Sequence, residues 1–242
     1  MDTLIQLNKQ TAGRDKLARL CQYLSRFLWY NLQNKQKFLN NNAINNLKSL
    51  EYQLSTFRKL LRWGRCLDVV YSTLPILNYP LDSRRFVDVL TKLSQAFYFL
   101  TDHILWLGRA DLCQVDTHKW NQISNRYWLY TITLNLVKNF IEINNLFKLH
   151  SCQSLIYQIF LGTFSRNSFK NDVSWCNAQT LVLIQRHKAL IADLIKNLCD
   201  LFIPLTTLGY YNLSPGFVGL LGVISSIAGL FILIDSTVKF IP

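Results

Sequence analysis

The sequence predicts an all-α protein, a helical integral membrane protein with N-terminal amphipathic helices and a C-terminal transmembrane segment. Three observations carry that prediction. Gly and Pro number only 9 and 5 in 242 residues, and apolar residues recur at helical spacing through most of the chain. Between Asp200 and Asp235 there is no charged residue. A helix needs about 20 apolar residues to cross a bilayer core, and Pro215–Ile234 supplies them without Asp, Glu, Lys, Arg or His. Third, the basic excess lies far from that segment: Met1–Arg65 holds 12 Lys/Arg against 3 Asp/Glu, whereas Cys66–Pro242 holds 14 against 11.

The first helix is predicted at about Arg14–Leu32. Leu17, Leu20, Cys21, Leu24, Phe27 and Leu28 share one stripe, and Asp15, Arg19, Gln22 and Arg26 lie opposite. An Asn-rich turn follows at Asn40–Asn42, Asn45 and Asn46. The second helix is predicted at about Ala43–Leu61, and Pro75 is the stop for any extension to Leu74. Leu47, Leu50, Leu54, Phe57 and Leu61 form its apolar stripe, and Arg58, Arg62 and Arg65 border it. Two readings fit that border. Basic stems can lie on lipid tails and lift their charges to the head groups. Alternatively the helix packs in an ordinary bundle with its arginines solvated, which is the commoner use of an amphipathic helix.

A third helix is predicted at about Ser83–Leu107, with an apolar face of Phe86, Leu90, Leu93, Phe97, Leu100, Ile104 and Leu107. It also carries Asp88, Lys92, Asp102 and His103. A charge at the centre of a membrane helix costs roughly 2.5–3.5 kcal/mol, so this helix is expected at the interface or packed against others. Two more helices are expected at about Lys119–Leu149 and Thr180–Leu201, with a polar loop at Gly162–Ser174 between them. Pro204, Gly209 and the Pro215–Gly216 pair offer a break inside the long apolar segment. Within the membrane segment Gly219, Gly222, Ser226 and Gly229 fall on one face. Small residues on one face let helices approach closely in lipid, so the face suits self-association, although small residues are also simply common in spans. Three regions result: 1–82, basic and amphipathic; 83–200, central and helical; 201–242, the anchor and a short tail.

The basic N-terminal region suits anionic membrane lipids. Nucleic acid is not the expected partner, because no nucleic-acid motif accompanies the charge. Cys21, Cys66, Cys113, Cys152, Cys176 and Cys199 form no CxxC pair, which argues against a zinc ribbon and a disulfide scaffold. The start, MDTLIQLNKQTAGRDK, lacks the apolar core of a signal peptide, and VKFIP at the end carries no matrix or retention address. The N-terminus is therefore expected in the cytosol. No HExxH, GxSxG, P-loop or GxGxxG occurs. Asp111, Cys113, Asp116 and His118 cluster but match no ligand spacing and read as an inter-helix loop. No enzyme, cofactor or metal is expected.

Five blocks resemble one family: GRDKLARLCQY (Gly13–Tyr23), FRKLLRWGR (Phe57–Arg65), AFYFLTDHILWLGRADL (Ala96–Leu112), KWNQISNRYWLYTITLNL (Lys119–Leu136), and NLCDLFIPL with LGYYNLSPGFVGLLGVISS (Asn197–Ser226). The chain resembles the peroxisomal membrane protein 11 family (peroxisomal biogenesis factor 11), most nearly its animal beta/alpha branch. The resemblance implies a helical protein of the peroxisomal membrane with both termini cytosolic. It also implies elongation, proliferation and fission of peroxisomes, driven by an amphipathic helix that inserts in one leaflet. By position that helix ends here in Phe57–Arg65, which favours the membrane reading of the Leu47–Leu61 stripe and of Arg58, Arg62 and Arg65. Burial of five such side chains at ~1.5–3 kcal/mol each suffices for binding before entropy costs. The partners implied are a homo-oligomer, tail-anchored fission adaptors, a dynamin-related GTPase and the peroxisomal membrane protein import receptor. Several animal members of that family carry a long Gly/Pro-rich insertion where only Gly162–Ser174 stands here. An alternative implied activity is a pore for small metabolites, with Asp88, Lys92, Asp102 and His103 as its polar groups. Two cytosolic termini require an even number of crossings, so either Ser83–Leu107 crosses or Leu201–Ile234 re-enters.

Overall fold

The computed structural model describes residues 2–35, 41–78, 80, 82–160 and 187–238. The Gly162–Ser174 loop, Cys176, the first residues of the Thr180–Leu201 helix and the last four residues lie outside them. Among the described residues all regular structure is helical. The elements are α1 (Asp2–Lys9), α2 (Thr11–Lys35), α3 (Asn41–Leu61), α4 (Arg65–Tyr71), α5 (Leu74–Leu77), α6 (Ser83–Arg109), α7 (Thr117–Phe160), α8 (Lys188–Thr207) and α9 (Pro215–Val238).

Local chemistry sets most of the boundaries. Gly64, at φ 80°, ends α3 with a left-handed residue, so the predicted extension to Leu74 is broken into α4 and α5. Asp82 caps α6 by accepting from the Ser83 N–H at 2.8 Å. Asp116 caps α7 by accepting from the His118 and Lys119 N–H groups at 3.1 Å each. The long apolar segment is a hairpin. Gly209, at φ 82°, closes the end of α8, and the Ser214 hydroxyl accepts from the Phe217 N–H at 3.3 Å just ahead of Pro215.

Among the described residues the six long helices form a ring. Neighbours follow in the order α2, α9, α8, α7, α6, α3, and α3 returns to α2. The apolar core is small: Tyr23, Ile203 and Val218, with Trp128, Leu213 and Val223 against them. Most of what the ring buries is polar.

Candidate functional site: a charged interior

The polar stripe of α2 points inward. Asp15, Arg19 and Gln22, at i, i+4 and i+7, are all buried. Facing them is the end of α3, where Arg58, Lys59 and, in the turn just after it, Arg62 are buried too. Arg58 Nε meets Asp15 Oδ1 at 3.0 Å, and its Nη1 donates to Gln22 Oε1 at 2.7 Å. On α6, Asp102 is completely buried. It pairs with Lys59 and, at 2.9 Å, with Arg62 Nη2. Arg62 Nη1 donates to the Tyr98 hydroxyl at 2.6 Å, and Arg62 O lies 3.1 Å from His103 Nε2. On the far side Asp200 of α8 pairs with Arg19, whose guanidinium also stacks over the rings of Tyr23 and Trp128. These groups surround a cavity of about 400 Å³. Buried charges are tolerable only when paired and hydrogen-bonded, and nearly every one of these is.

Much of the outside is apolar, with exposed charges such as Arg14, Lys48, Arg84 and Arg126 among the apolar residues. Leu24 and Leu28 of α2, Leu93 and Leu100 of α6, Val137 and Phe140 of α7, Phe202 of α8 and Ile227 of α9 are all exposed. The apolar stripe predicted for the first helix therefore faces outward, and so does much of the α6 stripe. Single exposed apolar residues need no explanation. A largely apolar exterior around a charged interior does, because helices in lipid turn their ionisable groups toward the bundle interior. Among the described residues one helix, Pro215–Ile234, is long and apolar enough to cross a membrane, and only 33% of its span is buried in the bundle.

The sequence-predicted residues divide. In α3, Leu50 and Phe57 are exposed, and Leu47, Leu54 and Leu61 are half-buried. Leu60 and Trp63 are exposed as well, and spacing alone did not single them out. Arg58 and Arg62, expected at lipid head groups, instead lie in the interior, because Asp15 and Asp102 hold them there. Arg65 is half-buried, with its guanidinium 5.4 Å from the Phe99 ring centroid. Gly219, Gly222, Ser226 and Gly229 do form one face, but it packs on α2 of the same chain. A Cβ on Gly219 would stand 2.8 Å from the Phe27 backbone nitrogen, and one on Gly229 would stand 3.1 Å from Lys16 Nζ. Gly222 sits under the Tyr23 ring, and the Ser226 hydroxyl donates to the Gly222 carbonyl at 2.6 Å. The face is thus filled within the monomer.

The proposed pore set is not brought together. Asp102 and His103 are buried, whereas Asp88 pairs with Lys138 at 2.8 Å and Lys92 donates to the Ser72 carbonyl at 2.7 Å. Asp116 is a helix cap, and among the described residues no group of three or more His, Cys, Asp or Glu could hold a metal ion. Sequence reasoning missed Lys59 and Asp200 as partners. The available signal was the unbroken polar stripe Asp15–Arg19–Gln22–Arg26 on a helix whose opposite face was apolar.

A family profile described as Peroxisomal biogenesis factor 11 (PEX11) matches residues 1–234. Peroxisomal membrane protein 11A of Bos taurus is 31% identical over 236 residues, covering 95% of each chain. Peroxisomal membrane protein 11B of Homo sapiens is 30% identical over 263 aligned positions, covering both chains fully. A homologue of peroxisomal membrane protein 11 from Dictyostelium discoideum is 26% identical over 244, covering 96% of this chain and 93% of its own. No solved structure matches. The match along nearly the whole length takes in every helix that builds the charged interior, and the chain belongs to the peroxisomal biogenesis factor 11 family.

Proposed function

We propose that this protein is an integral, non-enzymatic component of the peroxisomal membrane that remodels it, promoting elongation, proliferation and fission of peroxisomes. The names of its relatives and the apolar α9 support the location. One observation supports the mechanism. The outward face of α3 and its continuation, Leu50, Phe57, Leu60 and Trp63, is apolar and exposed, while the basic residues at its C-terminal end, Arg58, Lys59 and Arg62, are drawn inward and Lys48 stays outside. Such a helix lies half-buried in one leaflet. It adds area to that leaflet only, so arrays of the protein bend the sheet outward. Anionic lipids and other copies of the chain are its partners in this reading, followed by the fission adaptors and the dynamin-related GTPase. With the small-residue face of α9 occupied by α2, self-association falls to the outer faces.

The test is reconstitution of the full chain in anionic liposomes, with vesicle shape and solute leakage recorded in one sample. Tubules without leakage are expected, and Leu54→Glu or Phe57→Glu removes them. Normal tubulation by both variants overturns the reading. A pore for small metabolites is the second reading, favoured by the polar cavity of about 400 Å³ within the ring. Solute-selective leakage from round vesicles would select it.

A further inference from the structure

The cavity is unbalanced in charge. Among the described residues nine Lys or Arg side chains line it against three carboxylates. Glu51 and Asp193 stand just outside and pair with Arg26 and Lys196. Counting them leaves four cations in excess. Arg109 rests on the hydroxyls of Ser55 and Thr56 at 3.2 Å each, and Arg65 rests on the Phe99 ring, so neither meets a carboxylate there. Lys16 makes no ion pair within 4 Å among the described residues; its cationic neighbours are Arg19 and Lys196, and the more distant carboxylates of Asp200 and Asp15 offset them only in part. Arg19 is nine-tenths buried, and its Nε–H is buried without an acceptor among the described residues. A buried N–H without an acceptor costs the full desolvation of that group, and uncompensated buried cations cost more.

We infer that the cavity is a binding site for a phosphate-bearing ligand, held between Lys16 and the free edge of the Arg19 guanidinium. Four excess cations call for a multiply charged anion rather than a single carboxylate. A guanidinium fork matches phosphate oxygens, and a lysine adds a point charge beside it. Amide side chains complete the wall: Asn121, Asn125 and Asn135 of α7 and Asn197 of α8. The Asn125 and Asn197 amides already donate one N–H each, to the Asn121 carbonyl and to Asp193, which leaves one apiece for a ligand. A volume of about 400 Å³ lies within the range of small-ligand sites, about 300–1,000 Å³, so it holds more than a bare ion. The phosphate belongs either to a soluble organic phosphate or to a lipid head group that enters between helices. Neither case depends on whether the protein bends membranes.

The experiment uses the full chain in nanodiscs of phosphatidylcholine alone, titrated with inorganic phosphate against chloride at constant ionic strength. A parallel set of discs contains phosphatidic acid and receives no phosphate. Thermal midpoint and calorimetric binding are read in both. A saturable rise with phosphate assigns a soluble ligand, and a rise confined to the phosphatidic acid discs assigns a lipid head group. In either case Lys16→Gln weakens binding tenfold or more. Arg19→Lys, which keeps the Asp200 pair and removes Nε, weakens it severalfold. Lys48→Gln, on the outer side of α3 over the Trp29 ring, leaves it unchanged. No saturable effect in either arm, or equal binding by Lys16→Gln and the parent, overturns the site. Because Lys16 holds no ion pair, Lys16→Gln is expected to fold, and its midpoint without ligand verifies that separately from binding.

Discussion

Asp102 is the residue on which the interior turns. It has no exposed surface, and it faces Lys59 and Arg62 at once. Its removal strands Lys59 and leaves Arg62 with only the 3.8 Å approach to Asp15, and breaking a buried pair by deleting one partner costs about 3–5 kcal/mol. Asp102→Ala is therefore expected to destabilise the purified protein by that amount in a denaturant titration in mild detergent. Asp88 is the control. Its bond to Lys138 is partly open to solvent, with side-chain exposures of 24% and 35%. Asp88→Ala is expected to cost under about 1 kcal/mol, and equal losses in the two variants would refute a charged core held by Asp102. Gly219 offers a steric test of the same kind. A methyl there meets the Phe27 backbone rather than a flexible side-chain tip, so Gly219→Ala is expected to cost about 1–3 kcal/mol by overpacking. If the face served contacts between copies instead, the variant would lose cross-linked dimer and keep its midpoint.

At the scale of the helix, α3 joins two functions on opposite sides. Its outer stripe is available to lipid, and its inner Arg58, Lys59 and Arg62 bind α2 and α6. The two sides separate by substitution. Phe57→Glu is expected to abolish vesicle binding in flotation and leave the thermal midpoint close to the parent value. Arg58→Gln is expected to lower the midpoint and leave flotation intact. The opposite pattern would return Arg58 to the head groups. The existence of α2, α3, α6, α7 and the α8–α9 hairpin was legible from apolar periodicity and from Gly209 and the Pro215–Gly216 pair, whereas Pro204, expected as a break, lies inside α8, and Pro75, expected as a stop, lies in the first turn of α5. The sense of their faces was not. A period of 3.6 residues divides a helix into two faces and says nothing of which solvent lies beyond each. That is why Leu24 and Leu28 could be placed on a stripe but not on the outside, and why Arg62 could be placed at its border but not against Asp102. The partner of the small-residue face was hidden for a related reason. Gly219 and Gly222 announce close approach by some helix, and only the fold names α2. The break at Gly64 is a single left-handed residue, which the run of leucines around it masked.

For the molecule as a whole, the question is what surrounds the ring. α9 packs along α2 from Gly216 against Tyr30 to Gly229 against Lys16, so the two run antiparallel over the length of the apolar span. If α9 crosses the bilayer, α2 accompanies it, and its charges are sheltered only by the interior that Asp200 and Asp15 complete. The same reasoning reaches α7, which packs on α6 and α8 and exposes 71% of Phe140. A charge facing lipid near the middle of a helix costs about 2.5–3.5 kcal/mol, whereas in water the same change is usually within about 0.5 kcal/mol. Phe140→Lys and Ile224→Lys therefore report the solvent on two sides of the ring. Ile224→Lys is expected to impair membrane integration, read as loss from the carbonate-resistant fraction. Phe140→Lys follows it if lipid also surrounds α7. If Phe140→Lys remains fully integrated with an unchanged midpoint, α7 lies in the aqueous phase. The charged interior would then be a pocket held against the membrane by α2 and α9, no longer a core enclosed within it.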